Sequence, residues 1–417
     1  MVTQILEQVF RGERARVLAT LVAQCRDLDL AEEALQDACV RALEHWPSTG
    51  VPDNPAAWLT AVARRRLIDI IRRRQRSPVF NSADLEMTSP DHADESMADE
   101  AGISDHRLQL IFTCCHPALS AEAQVALALR ILCGLTTREI ARAFLESETA
   151  TAQRIVRAKR KIQGAGIPFE IPPVAELPER ISGVLATIYL VFNEGYSSTE
   201  VDSWLRPGLS GEAIRLGRLV TDVLPADPEA EGLLALMLLH DARRESRIGS
   251  NGEFVPLEEQ DRSKWFRPQI DEGLTRLHAA FTRQRPGPYQ LQAAIAALHA
   301  SAPTAAETDW PQIATLYRSL LEISPTPIVE LNAAVALAMA VSIDDGLKWL
   351  DRIAQVSPLP NYHLFFAARA DLLRRAGRWD EALTAYDQAV AVVKQPVERQ
   401  YLERRRNEVR RAQGRAR

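Results

Sequence analysis

A cluster of polar and basic side chains within residues 134–163 has the spacing of a DNA-reading element. Thr136 and Glu139 form a capping box that predicts one short helix, and Ser147 is a natural N-cap for a second helix over residues 148–163. Such a helix offers its first turn to base edges and its later cations to phosphates. The alternative is a solvated basic helix in a bundle. At 100° per residue, these side chains share its outer face: Thr149, Gln153, Arg154, Arg157, Arg160 and Lys161.

Cys114, Cys115 and His116 form a second group with metal or thiol chemistry in principle. Adjacent cysteines on a helix point about 100° apart, and no second ligand pair follows at zinc spacing. We therefore expect these side chains to pack in a core, and we predict no metal, no cofactor and no catalytic residue. An enzyme that uses this cluster, or the region of Asn193 and Glu194, is an alternative.

Two amphipathic helices are predicted near the N-terminus. The first covers residues 30–44 with Asp29 as its cap, and the second begins with Asn54 as cap and Pro55 at its first position. The expected core side chains are Ala31, Leu35, Ala38, Ala42, Leu59, Ala63, Leu67 and Ile70. The expected polar side of the first helix is Glu32, Glu33, Gln36, Asp37 and Arg41.

Charge is unevenly distributed, although the net charge is only −5. Residues 64–76 hold seven arginines and one acid, whereas residues 77–106 hold eight acids and no lysine or arginine. The basic block predicts a polyanion-binding surface, and the acidic block predicts a flexible linker. Neither a signal-peptide-like run nor a long apolar stretch is found, and the five cysteines lack framework spacing, so we expect a cytoplasmic protein without a membrane partner.

The segments AEEALQDACVRAL and NPAAWLTAVARRRLIDIIRRR resemble region 2 of a group 4 (extracytoplasmic-function, ECF) bacterial sigma factor of the sigma-70 family. Residues 134–163 are similar to region 4 of the same family. The resemblance implies an all-α fold with region 2 at 1–77, an acidic linker at 78–104 and region 4 at 105–166. It implies a subunit that binds core RNA polymerase, at the clamp of the largest subunit and at the flap, and directs promoter recognition and transcription initiation.

The resemblance also implies roles for individual residues. Core polymerase binding falls to Glu33, Gln36, Asp37 and Arg41. Contacts near the −10 promoter element fall to Trp58, Arg64, Arg65, Asp69 and Arg72. The −35 element falls to Thr149, Gln153, Arg154, Arg157, Arg160 and Lys161. Two positions depart from the family pattern: Arg65 stands where asparagine is frequent, and Leu145 stands where the corner often has glycine, which predicts strain there.

Roughly 240 residues follow a proline-rich boundary near residue 175. They predict a helical extension domain at 175–300 and tetratricopeptide-like repeats at 301–417, because Ile313, Leu347 and Leu383 recur at 34 and 36 residues. Phrases such as YLVFNEGY and LNAAVALAMA, with LQLIFTCCHPAL upstream, resemble a sigma-factor subset that carries such an extension, although Ala333 stands where its relatives have arginine. The extension is expected to regulate, with an unknown protein or ligand as partner. The alternative function is a stand-alone helix-turn-helix regulator with a repeat-protein sensor.

Polar residues of the extension allow a pocket or, as we favour, a structural role in which they bridge buried helix ends. They are Asn193, Glu194, Asp241, Arg243, Arg244, Gln260, Asp261, Arg262 and Trp265.

Overall fold

The structure is a computed structural model that describes residues 2–75, 100–144, 146–197, 208–225, 227–250, 252–356 and 362–416. These ranges contain eighteen α-helices and no strand, apart from a single antiparallel bridge between Ile248 and Phe254. The predicted all-α fold is confirmed for this part of the chain. None of its helices combines the length and the apolar character needed to cross a membrane.

Two compact units divide near residue 225. The helices of the first unit are α1 Val2–Cys25, α2 Leu28–Thr49, α3 Pro55–Gln75, α4 Glu100–Cys114, α5 Ala121–Leu127, α6 Thr137–Ala143, α7 Glu148–Gly164, α8 Leu177–Ser197 and α9 Leu209–Val223. The helices of the second unit are α10 Pro228–Asp241, α11 Arg267–Phe281, α12 Pro288–Ser301, α13 Trp310–Ile323, α14 Pro327–Ala340, α15 Ile343–Val356, α16 His363–Arg375, α17 Trp379–Val392 and α18 Pro396–Ala416.

Helices α1–α3 form a three-helix layer around a leucine- and alanine-rich core. The helix α2 begins two residues earlier than expected, because the Asp27 carboxylate accepts from the backbone N–H groups of Asp29 and Leu30 at 2.8 and 3.0 Å. Asp27 is therefore the cap, and the assignment to Asp29 was wrong. In α3 the Asn54 cap is confirmed by a 3.0 Å bond from the Ala57 N–H. The predicted core residues are buried except Ile70, whose place is taken by Ile71.

The helix-turn-helix is formed by α6 and α7, as its caps predict. The Thr136 N–H donates to Glu139 Oε2 at 2.7 Å and the Glu139 N–H donates to Thr136 Oγ1 at 3.2 Å, so the capping box is confirmed. Ser147 Oγ accepts from the Ala150 N–H at 3.2 Å, which confirms the second cap. Leu145 lies outside the described residues, as does most of the predicted acidic linker. The helix α4 begins at Glu100, five residues before the expected start.

The first two helices after the proline-rich boundary pack against the helices that precede the helix-turn-helix rather than against the rest of the extension. Arg180 donates to the Phe112 carbonyl at 2.8 Å, and its guanidinium lies 5.7 Å from the centre of the Phe112 ring. From α8, Thr187 Oγ1 donates to Gln124 Oε1 at 3.0 Å, and from α9, Arg215 donates to the Leu132 carbonyl at 2.8 Å. The compact units therefore divide near residue 225, some 50 residues after the boundary at 175 that the prolines predicted.

In the second unit, several of the polar residues singled out in the sequence connect neighbouring helices and loops. Trp265 Nε1 donates to Ser246 Oγ at 2.8 Å, and Gln260 Nε2 donates to the Val255 carbonyl at 3.0 Å. The Arg262 guanidinium lies 4.7 Å from the centre of the Trp265 ring and donates to the carbonyls of His299 and Ala302, at the C-terminal end of α12. These contacts fit the structural role. Asn193 and Glu194 belong to α8 of the first unit, and the Glu194 side chain lies outside the described residues.

Three helix pairs, α13–α14, α15–α16 and α17–α18, end the chain, and each helix packs against the next. Of the residues at the repeat spacing, Ile313, Leu347, Leu350 and Tyr386 are buried in their cores, whereas Leu383 and Leu316 are only half-buried and pack against these cores. Gly377 joins α16 to α17 at a φ of +73°, a backbone conformation that favours glycine.

Candidate nucleic-acid interface

The helix α7 has one buried and one exposed face. Its buried residues are Thr151, Ile155, Ala158 and Ile162. Of the six candidate −35 residues, the five exposed ones are Thr149, Gln153, Arg157, Arg160 and Lys161. The exposed face also carries Val156, which is 45% exposed and which the sequence reading passed over. An aliphatic side chain there suits contact with a thymine methyl group, so this face combines polar, apolar and cationic groups.

The sixth candidate, Arg154, is half-buried, and its guanidinium is paired with a carboxylate of the same chain. Its two terminal nitrogens donate to the two carboxylate oxygens of Glu146, each at 2.7 Å. These hydrogen bonds from Arg154 hold the pKa of Glu146 below its usual range. Because Glu146 precedes the Ser147 cap, the pair fixes the corner of the helix-turn-helix. In this conformation Arg154 positions α7 rather than facing solvent.

On α3, the −10 candidates line one stripe with one exception. Trp58 is half-buried and packs edge-on against Trp46, with ring centres 5.4 Å apart. Arg65, Asp69 and Arg72 are exposed, and their spacing places them on the same side as Trp58.

Arg64 points about a third of a turn away from that stripe. It is exposed and reaches Gln24 of α1, whose amide oxygen, when turned toward Arg64, accepts bonds of 2.6 and 2.8 Å. The structure therefore brings four of the five −10 candidates together on one face of α3.

On α2, the core-binding candidates Glu33, Gln36 and Arg41 are exposed. Asp37 is tied to α3, because Arg66 donates to its Oδ2 at 2.6 and 3.0 Å. The sequence reading also missed two exposed apolar side chains on this helix, Val40 at 53% and Leu43 at 44%. Val40 and Leu43 lie one helical turn apart, so they form a contiguous apolar surface, which suits a protein partner.

Glu32 was expected on the solvated side of α2, and this prediction was wrong. Its side chain is 6% exposed and forms ion pairs with Arg14 of α1, with Arg130 at 3.5 Å, and with Lys159 of α7. A buried carboxylate is stable only with such partners, since desolvation otherwise opposes its charge. The cations come from distant parts of the chain, which is why the local pattern gave no sign of them.

Cys114, Cys115 and Cys133 are fully buried side chains. Burial raises the pKa of the Cys115 and Cys133 thiols to about 12, and it also raises that of Cys114. In the part of the chain that the structure describes, no three His, Cys, Asp or Glu side chains are arranged to hold a metal ion. Thiols with such pKa values are protonated at neutral pH, which favours the packing role.

Comparisons with protein families match three segments of the chain. Residues 9–77 match "Sigma-70 region 2", residues 109–162 match "Sigma-70, region 4", and residues 180–281 match a family of unknown function, DUF6596. The first two matches contain α3 and α7 with the exposed faces described above. The third begins in α8 of the first unit and ends at the last residue of α11 in the second.

An uncharacterized protein of Rhizobium meliloti (strain 1021) is 45% identical over 392 residues, which cover 93% of this chain and 92% of that protein. Among solved structures, yeast Tom70 aligns with 99% of this chain and 86% of its own, at 12% identity and a TM-score of 0.36, too low to support an argument. The chain belongs to the sigma-70 family, with the region 2 and region 4 arrangement of an ECF-like sigma factor for promoter recognition and a C-terminal extension.

Proposed function

We propose that this sigma factor binds core RNA polymerase through α2 and places α3 at the −10 element and α7 at the −35 element. The observation that carries the proposal is the pair of exposed faces on α3 and α7, in the two segments that match regions 2 and 4. The α7 face ends in Arg160 and Lys161, which suit phosphates, whereas Thr149, Gln153 and Arg157 suit base edges.

The −10 face of α3 combines an aromatic ring with cations. Trp58 is only half-buried, so part of its ring is open to an unpaired base, and Arg65 and Arg72 on the same stripe suit the phosphates of that strand. A strand-separating role for region 2 follows from this combination. Cytoplasmic location and the absence of an enzymatic activity belong to the same proposal.

The outer face of α2 is the proposed polymerase contact. Glu33, Gln36 and Arg41 are polar and exposed, and Val40 and Leu43 add apolar area among them. Protein interfaces combine such an apolar centre with a polar rim. A stand-alone helix-turn-helix regulator would have no use for this second exposed face.

Gel filtration of the full chain with purified core polymerase tests the proposal. We expect co-elution, and we expect that Val40→Asp and Leu43→Asp together abolish it while leaving the helical circular-dichroism signal intact. Lys348→Ala, a 75% exposed cation of the second unit, is the matched surface control. Failure of the wild-type chain to co-elute would exclude the polymerase contact and favour the stand-alone regulator.

For the C-terminal extension we propose a regulatory role with a protein or small-molecule partner. Stacked helical pairs such as α13–α18 present a continuous surface that suits such a partner. Removal of residues after 225 leaves the first unit complete, so promoter-directed transcription by that fragment measures the effect of the second unit. Transcription equal to that of the full chain would refute the regulatory role.

A further inference from the structure

Three chain segments of the second unit meet around a group of basic side chains, which we call the cationic cluster: His240, Arg243, Arg262 and His299. His240 belongs to the last turn of α10, and Arg243 follows the end of that helix. Arg262 begins a short 3₁₀ turn, Arg262–Lys264, and His299 belongs to the last turn of α12. The cluster is therefore assembled by the fold and not by neighbouring positions in the sequence.

Hydrogen bonds hold the three segments together. The Phe266 N–H donates to the Ala242 carbonyl at 2.8 Å, which joins the end of α10 to the residues that follow the 3₁₀ turn. Arg262 donates to the carbonyls of His299 and Ala302, which joins the same turn to the end of α12. Since each of these bonds involves a backbone group, no carboxylate is needed to bring the basic side chains together.

The cationic cluster lacks carboxylate partners. Among the residues that the structure describes, neither Arg243 nor Arg262 forms an ion pair, and the ring nitrogens of His299 have no hydrogen-bond partner. The Arg243 guanidinium forms one side-chain contact, with His240 Nδ1 at 2.9 Å. A guanidinium carries five N–H donors, so Arg243 keeps donors for a ligand.

The charges of the cluster act on one another. Burial comes first, and Arg243 and Arg262 then add to it, so that the pKa of His299 is lowered to about 4. Burial, Arg243 and Arg267 also lower the pKa of the Arg262 guanidinium, and Glu307 opposes this effect only in part. His299 is therefore neutral at pH 7 and offers one N–H, while the guanidinium groups stay charged. An anion between them would offset their mutual repulsion.

The burial of the cluster indicates the size of such an anion. Arg243, Arg262 and His299 are half-buried, so solutes reach them, but they form no exposed row of cations of the kind that binds a duplex. Donors from three separate segments suit a compact anion with several acceptor oxygens. A phosphate group has this character, and guanidinium groups bind it through charge-assisted hydrogen bonds.

We propose that Arg243, Arg262 and His299 bind the phosphate group of a small molecule. Trp310 is half-buried beside this site, edge-on to the His299 ring with ring centres 5.3 Å apart, and offers apolar surface to the rest of the molecule. The inference names a ligand class for the C-terminal extension. Any effect of the ligand on transcription rests on the proposed function, whereas the binding itself does not.

Isothermal titration of the full chain with inorganic phosphate, at constant ionic strength, tests the proposal. We expect saturable binding with a dissociation constant of about 1 mM or below. Arg243→Gln should weaken it by about tenfold or more, because hydrogen bonds from a charged donor are lost, and Arg243→Lys should retain more of the affinity. Arg244→Gln is the matched control, since Arg244 is exposed and already pairs with Asp241. Arg262 stays unchanged, because its bonds to the end of α12 also hold the fold.

A second readout reports where the anion lies. In ¹⁵N NMR of the histidine-labelled full chain, with His299→Asn to assign the signal, added phosphate should raise the pKa of His299 above about 4. A nearby negative charge favours the imidazolium, and a purely structural role of Arg243 would not produce this response.

Absence of saturable binding by the wild-type chain, or equal affinities of wild type and Arg243→Gln, would overturn the proposal. Acetate that binds as tightly as phosphate would overturn it too, because the cluster would then attract anions without selectivity. Both readouts are made without polymerase or promoter DNA, so their failure is distinct from a failure of the proposed promoter function.

Discussion

The dependence of region 4 on α8 and α9 gives the sharpest stability prediction. Cutting the chain after residue 175 removes the Arg180 bond to the Phe112 carbonyl, the Thr187 bond to Gln124 and the Arg215 bond to the Leu132 carbonyl. Each lost donor that leaves a buried acceptor unpaired costs about 1–3 kcal/mol. The cut also removes eleven buried Val, Leu, Ile and Phe side chains of α8 and α9. Loss of one large core side chain costs about 2–5 kcal/mol. The loss of a few of them therefore equals the whole free energy of unfolding of a typical domain, about 5–15 kcal/mol.

We therefore expect fragment 1–175 to lack a cooperative thermal transition for region 4 and to lose −35 duplex binding. Fragment 1–225, which keeps both helices, should retain the cooperative transition and the duplex binding. Circular dichroism during heating and fluorescence anisotropy with a labelled duplex measure the two properties. A cooperative transition of fragment 1–175 at the temperature of fragment 1–225 would refute the argument that α8 and α9 complete region 4.

A matched pair of substitutions on α8 repeats the test in the full chain. Leu185 is 2% exposed and Leu190 is 48% exposed on the same helix. Leu185→Ala should destabilise the first unit by about 2–5 kcal/mol, which lowers its melting temperature by roughly 4–20 °C. Leu190→Ala should change it little. If both variants melt alike, α8 is not a core helix of this unit.

Arg157→Ala should weaken binding to the preferred −35 duplex by about 1–3 kcal/mol and relax base preference. Arg154→Ala should lower the thermal stability of the helix-turn-helix and weaken its affinity for all duplex sequences alike, because it removes the pair with Glu146. Competition anisotropy measures both affinities. Burial, together with Arg243 and Arg262, lowers the pKa of His299 to about 4. The unfolded chain then binds more protons than the folded chain between pH 6.5 and 4, so the second unit should lose at most about 3 kcal/mol of stability as pH falls through that window. The loss should be smaller in His299→Asn. Urea titration at each pH measures both losses. Cys115 and Cys133 should resist iodoacetamide at pH 8 until the chain unfolds, and early alkylation seen by mass spectrometry would contradict their burial.

Local signals in the sequence predicted local structure well. The capping box of Thr136 and Glu139 and the caps at Ser147 and Asn54 depend on residues three positions apart, and all three form as expected. The periodicity of α7 likewise predicted its exposed face. Arg154 is the exception, because its partner Glu146 lies across the corner rather than on the helix.

Long-range pairing explains what the sequence did not predict. Glu32 lies beside the buried stripe of α2, but its burial depends on Lys159, 127 residues away, and on Arg14 of α1. The prolines near residue 175 interrupt the helical pattern, yet they do not determine which helices share a core. The apolar faces of α8 and α9 pack against the helices of region 4, and this long-range packing is visible only in the three-dimensional structure.

We propose that this chain directs core polymerase to a two-element promoter. The most direct measurement is reconstituted run-off transcription with core polymerase on a library of templates, with wild type compared with Arg157→Ala and with Lys348→Ala. We expect transcripts from templates that share −35 and −10 sequences, a change in the selected −35 bases with Arg157→Ala, and wild-type selection with Lys348→Ala. Transcripts that are absent, or that do not depend on either element, would contradict it.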